Sequence, residues 1–159
     1  MGRALRYGYV AALLATAWTM GLELAHVLKL PATSGYEPAM FGWLQQTLYF
    51  WSGVVSGTVC VVAVVLTALV ALATRHDDIL RWFTTGAFLA EGLATIIFFA
   101  VIYPVNLRFP LGEDGQPPAD WATLRLLWEA GHVAGFVLFT LAFLLLTIGL
   151  VRAAATTRA

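Results

Sequence analysis

Charge is what this chain has least of: 11% of its 159 residues are Asp, Glu, Lys or Arg, while 60% are hydrophobic. With a mean hydropathy of +0.82, it lies far from the mixture of a soluble domain. Nine Lys and Arg balance nine Asp and Glu, which excludes the basic footprint of a protein that binds nucleic acid. Cysteine is nearly absent. Cys60 alone excludes an internal disulfide and the Cys-x-x-Cys chemistry of quinone-linked thiol oxidoreductases. No stretch alternates with the period of two that a membrane barrel strand needs, and no tandem repeat of ordinary length is found. Arg3 and Arg6 precede an apolar run, as in a signal peptide, but no clean small-residue cleavage site follows, so the run is read as a membrane span.

What is present is long apolar sequence. Four stretches, about Tyr7 to Leu30, Thr47 to Ala73, Trp82 to Val105 and Trp121 to Val151, each exceed the roughly 20 residues that cross a bilayer as helix. Helices satisfy their own backbone hydrogen bonds in lipid, so the expected fold is all-α, an integral membrane four-helix up-down bundle. It forms one transmembrane domain over 1–152, with 153–159 a short flexible tail. Arg3, Arg6, Arg75, Arg81, Arg152 and Arg158 flank one set of span ends, against Lys29, Arg108 and Arg125 at the other. The positive-inside rule then places both termini in the cytoplasm and the protein in the plasma membrane. The outward loops, Pro31 to Gln46 and Asn106 to Asp120, hold Glu37, Glu113, Asp114 and Asp120 and are long enough to form a lid or an entrance.

The chemistry is carried by two echoing tetrapeptides. Glu23-Leu24-Ala25-His26 recurs in form as Glu129-Ala130-Gly131-His132, so two of three histidines follow a glutamate by three residues. With five glutamates in the chain, chance gives that roughly once in a few hundred arrangements. A separation of three puts both side chains of each pair on one helix face. At about 1.5 Å per residue, the first pair lies roughly 6 to 10 Å below the outer end of its span and the second roughly 12 to 16 Å below the start of its own. Gln45, Gln46 and Tyr49 open the second span on that side, Asn106 closes the third, and Glu91 lies deeper. One polar cavity in the outer half of the bundle is expected to collect them all. Trp121, Arg125, Trp128 and His132 form a stripe along the fourth span. Trp121 also reads as an interface anchor and Arg125 as a snorkelling side chain, and Lys29 reads as a cation marking the end of its helix. Helix-register glue remains an alternative for the buried Glu and His groups.

Two chemistries suit these groups. Two Glu-x-x-His motifs with Glu91 approach the ligand set of a two-metal carboxylate site in a helical bundle, although the second span offers Gln45 or Gln46 where a fourth carboxylate is expected. Glu23, His26, Glu91, Glu129 and His132 are then metal ligands, for iron or copper, mono- or dinuclear, ahead of zinc or manganese. A bis-histidine haem through His26 and His132 is a weaker variant. Without a metal, Glu23, His26, Glu129 and His132 supply acid–base chemistry, since burial favours a neutral carboxyl group and a neighbouring His or Arg the charged one. Asn106, Arg125 or Gln46 would stabilise a developing oxyanion.

Several segments carry a resemblance. Gly21-Leu22, Ala25-His26-Val27-Leu28-Lys29-Leu30-Pro31, Gln46 and Tyr49, Pro104-Val105-Asn106, and above all Asp120-Trp121, Leu124-Arg125, Trp128-Glu129 and Gly131-His132 resemble the anthrone-oxygenase-like family of small four-span membrane proteins. The resemblance covers nearly the whole chain and is most specific between Asn106 and His132. It implies oxidation of a polyketide-derived anthrone to an anthraquinone with dioxygen as co-substrate, in those members assigned a reaction.

The expected function is therefore a membrane-embedded oxidoreductase of oxygenase type, acting on a small hydrophobic aromatic or quinol-like substrate. Glu23, His26, Glu129 and His132 would be catalytic, and Gln46, Tyr49, Asn106, Trp121, Arg125 and Trp128 would bind substrate. The partners are the lipid bilayer and that substrate, with a homo-oligomer left open. The alternatives are a proton- or cation-translocating protein and a noncatalytic membrane subunit. Translocation would need polar groups continuing through the inner halves of the spans, where the sequence offers almost none beyond Thr67, Thr140 and Thr147.

Overall fold

In a computed structural model, which describes residues 2–109 and 116–155, every described element is helical. Helix α1 spans Arg3–Thr33 and closes as Ser34 N–H donates to the Leu30 carbonyl at 2.9 Å. Pro31 lies in its last turn, where a missing N–H and a fixed φ hasten the end of a helix. Pro38 then starts α2, Pro38–Gln46, since its locked φ suits a first helical position. The Pro31 to Gln46 stretch, expected as a loop, is thus largely helix. Thr47, with φ −105° and ψ −71°, breaks the path before α3, Leu48–Ala73.

After a short turn, Asp77 caps α4, Asp78–Ile97, accepting from the Ile79 and Leu80 N–H groups that a helix start leaves without intrahelical partners. Helix α4 passes through a π turn, Phe98–Ile102, into α5, Tyr103–Arg108. Pro104 can neither donate to residue 100 nor fit its ring against that carbonyl, and the widened turn accommodates both deficits. Helix α6 runs Trp121–Ala155, so Ala153 to Ala155, expected in the tail, continue the helix. Residues 156–159, Glu113 and Asp114 lie outside the described residues.

Among the described residues, four helical stretches, Arg3–Thr33, Leu48–Ala73, Asp78–Arg108 and Trp121–Ala155, are long and apolar enough to cross a membrane. They pack as a ring in the order α1, α3, α4, α6. Their antiparallel course shows in the pairs that meet: Tyr9 lies against Gly149, Glu23 against Gly135, and Phe98 against Gly57. One end of the bundle therefore carries the start of α1 and the end of α6, the termini of the described chain, and the other carries α2. Large side chains such as Leu14, Trp18, Val65, Leu89 and Leu144 point outward. Small or hydroxylated ones, Ala12, Thr16, Ala63, Thr67, Ala87 and Ala142, fill the centre. Burying small residues lets helix backbones approach without a hydrophobic drive between them, as in membrane helix packing.

Candidate functional site

The α2 end of the bundle gathers the polar side chains. Thr16, Thr19, Glu23, His26 and Thr33 recur along α1 at helical spacing and are all buried, which turns one stripe of that helix inward. Leu124, Arg125, Trp128, Gly131, His132 and Gly135 form the facing stripe of α6. Where the stripes meet, His132 Nδ1 lies 2.6 Å from Glu23 Oε2. Both side chains are about 5% exposed or less. A Cβ built on Gly135 would stand 3.1 Å from Glu23 Cδ and Oε2, so a larger residue one turn on would push the carboxyl aside by a few tenths of an ångström. At Gly131 a Cβ would come 2.7 Å from Ile102 of the π turn. That turn is thereby wedged against α6 one residue before the histidine.

The two imidazoles stack. His26 and His132 have ring centroids 4.0 Å apart and planes inclined by 16°, and Trp128 meets both edge-on, at 4.9 and 4.3 Å. Trp128 Nε1 donates to Asn106 Oδ1 at 2.7 Å, which leaves the Asn106 amide hydrogens as donors. Lys29, expected to mark only a helix end, instead turns inward. Its ammonium donates to His26 Nδ1 and lies 3.5 Å from the Tyr49 ring centroid and 4.8 Å from that of Trp128. Both are attractive cation–π distances. With Nδ1 accepting, the proton of neutral His26 sits on Nε2.

His26, Tyr49, Gly53, Ser56, Phe98, Asn106, Trp128 and His132 enclose a cavity of only about 10 Å³. Tyr49, Gly53 and Asn106 are shared with a mostly apolar crevice of about 300 Å³, completed by Gln45, Gln46, Phe50, Val54, Tyr103 and Leu107. Gln45 is buried there with its Nε2 unpartnered, whereas Gln46 is exposed. The crevice lies beside the histidine pair.

Other expected members lie elsewhere. Arg125 Nε donates to Glu129 Oε1 at 2.8 Å and Nη2 to the Thr33 carbonyl at 2.6 Å, with the guanidinium 4.8 Å from the Phe41 ring centroid. It ties α6 to the end of α1 and pairs with Glu129. Trp121 lines neither cavity. Glu91 is fully buried, and its Oε1 lies 2.6 Å from Thr16 Oγ1. Thr16 precedes Glu23 by seven residues of α1, about 10 Å along the axis, so Glu91 belongs to a deeper layer than the single cavity that was expected. Toward the termini end, buried hydroxyls are also more numerous than the sequence suggested. Thr67, Thr74, Thr84 and Tyr9 are all enclosed, and Thr74 and Thr84 touch at 2.9 Å.

These placements bear on metal binding. The ring nitrogen lone pairs of two stacked imidazoles lie in nearly parallel planes, and cannot both reach one ion at about 2.0–2.1 Å. The Lys29 ammonium adds positive charge beside them, and rings 4.0 Å apart leave no room for a porphyrin between them. Among the described residues, no group of three or more His, Cys, Asp or Glu side chains is placed to hold a metal ion. As arranged, the donors do not fit one.

Glu23, His26, His132, Tyr49, Asn106 and Trp128 are thus brought together, and Lys29 joins them. Its signal was its place three residues after His26 on the stripe that holds Glu23. No family model, curated protein or solved structure matches this chain.

Proposed function

We propose that this chain is a membrane-embedded oxidoreductase that uses dioxygen on a small hydrophobic aromatic or quinol-like substrate, by general-base chemistry without a bound metal. The observation that carries this reading is the buried Glu23–His132 pair beside an apolar crevice. A carboxylate that accepts from Nδ1–H fixes the imidazole tautomer and leaves Nε2 as the base. A substrate methylene made acidic by flanking aromatic rings and a carbonyl, as in an anthrone, gives up one proton to His132 Nε2. The Asn106 amide and His26 Nε2–H are the donors available to the oxyanion that forms, with the Lys29 ammonium behind His26. The carbanion reduces dioxygen, a C–O bond forms, and the proton held by His132 returns to give a hydroperoxide. Loss of water from that hydroperoxide leaves the carbonyl. Substrate CH₂ and O₂ thus become C=O and H₂O.

The resemblance to the anthrone-oxygenase-like family and the arginine bias toward the termini end support the same reading. We place both termini in the cytoplasm and the site toward the outer face of the plasma membrane. Aerobic turnover of an anthrone by the purified protein, absent in His132→Gln, tests the reaction.

A second reading, proton translocation, is favoured by the buried hydroxyls of Thr67, Thr74, Thr84 and Tyr9, which extend polarity beyond the histidine site. Its test is proton flux in liposomes that hold the purified protein.

A further inference from the structure

Glu91 stands apart from the histidine site and is the most deeply enclosed carboxyl group among the described residues, with no exposed surface. It crosses the middle of the bundle. Helices α1 and α4 are diagonal neighbours in the ring, yet Glu91 Oε1 lies 2.6 Å from Thr16 Oγ1. Its other oxygen, Oε2, has no hydrogen-bond partner of good geometry. Thr67 of α3 stands close to the carboxyl, and its own hydroxyl is likewise unpartnered. No cation forms an ion pair with Glu91 among the described residues.

The Thr16 hydroxyl restricts how these contacts can be made. Its oxygen is 2.8 Å from the Ala12 carbonyl and 2.6 Å from Glu91 Oε1, both hydrogen-bond distances. A carbonyl can only accept, and a carboxylate can only accept. One hydroxyl proton serves both only as a divided, weaker bond. If Glu91 carries a proton, Thr16 donates to Ala12 while the carboxylic acid donates to Thr16, and both contacts are satisfied. An ionised Glu91 would instead hold an unpaired charge near the middle of an apolar bundle, which is costly in a membrane span.

Two polar side chains lie toward the histidine site from this group. Thr95, one turn along α4, has a buried and unpartnered hydroxyl. It neighbours Cys60, which in turn lies within electrostatic reach of Glu23. Buried waters that take two or more polar partners would complete the path past Thr95.

We propose that Glu91 is an intramembrane proton-holding site, a neutral carboxylic acid that shares its proton with Thr16 and exchanges it with the Glu23–His132 pair along the Thr95–Cys60 side of the bundle. The proposal holds whether the outer site oxidises a substrate or feeds a proton path. The rival occupant is a sodium ion among the oxygens of Glu91, Thr16 and Thr67. The 2.6 Å contact argues against it, since two oxygens at that distance are joined directly by a proton.

Infrared difference spectroscopy on the purified full-length protein in lipid nanodiscs, at neutral pH and in sodium-free buffer, tests this. Parent minus Glu91→Gln should show the carbonyl band of a protonated carboxylic acid in apolar surroundings, shifted by deuterium oxide. Glu91→Gln keeps shape and a donor for Thr16, and should fold as the parent does. Thr16→Val retains the carboxyl but removes its partner, and should move the band to that of an unbonded acid, which keeps the test open if Glu91→Gln fails to fold. A carboxylate band present in the parent and lost in Glu91→Gln would overturn the proposal, as would disappearance of the acid band on adding sodium chloride. For the exchange step, Cys60→Val should slow deuterium entry at the Glu91 band at least tenfold. An unchanged rate would remove the proposed path.

Discussion

Glu23 and His132, 109 residues apart in sequence, meet with Oε2 and Nδ1 separated by 2.6 Å, and that pair positions the candidate base. Glu23→Gln keeps the shape of the side chain but replaces the carboxylate by an amide able to favour the other imidazole tautomer. Turnover of an anthrone should fall by about 10² to 10⁴, the usual contribution of a positioned base, while the thermal midpoint in detergent changes little. Equal turnover in the two proteins would remove Glu23 from the mechanism.

Gly135 leaves room for that pair. A Cβ there would stand 3.1 Å from Glu23 Oε2 and Cδ, so Gly135→Ala should force the carboxyl to shift, and Gly135→Val should displace it. A destabilisation of about 1 to 3 kcal/mol is expected for the larger residue, as for overpacking elsewhere. Thermal unfolding in a mild detergent measures it, and unchanged stability with full turnover in Gly135→Val would contradict the packing of Glu23 against α6.

Arg125 should behave as a tie between helices. Arg125→Ala strands Glu129 and the Thr33 carbonyl, and hydrogen bonds to charged groups are worth about 1.5 to 3 kcal/mol. The expected result is a lowered thermal midpoint with KM for the anthrone unchanged in the folded fraction. Arg125→Lys should restore stability only in part, because an ammonium lacks the planar fork that reaches both partners. A raised KM at unchanged stability would return Arg125 to the substrate pocket.

Gly53 borders both the small cavity and the apolar crevice, and a Cβ there meets only Asn106 Nδ2, at 3.4 Å. Gly53→Leu should therefore fold and fill the junction between the two. Affinity for the anthrone, read by fluorescence titration, should fall at least about tenfold, equivalent to about 1.4 kcal/mol. Undiminished affinity would mean that the substrate does not use this crevice.

The four helices were legible because apolar runs of that length have few other solutions, and the two Glu-x-x-His tetrapeptides announced inward faces on α1 and α6. Their partners were less so. Glu91 and Glu129 share residue type with Glu23, but what each carboxyl meets depends on rotation about a helix axis, and the structure gives one to Thr16 and the other to Arg125. Lys29 reads as a snorkelling cation by position alone, and the His26 ring nitrogen together with the rings of Tyr49 and Trp128 makes an inward course favourable. Helix α2 was hidden because Pro and Gly in its stretch signal a loop, although Pro38 also suits a first helical turn. The hydroxyls of Thr16, Thr74 and Thr84 gave no warning, since threonine in an apolar helix commonly bonds back to its own carbonyls.

The central claim, dioxygen chemistry by a Glu–His base without a metal, is tested most directly by following oxygen uptake and quinone formation together. The purified protein would be assayed with an anthrone before and after exhaustive chelation, with His132→Gln as control. The expected result is one oxygen consumed per quinone formed, a rate that survives chelation, and loss of that rate in the variant. A rate abolished by chelation and restored by iron or copper would contradict it, and so would an unchelated parent no faster than His132→Gln.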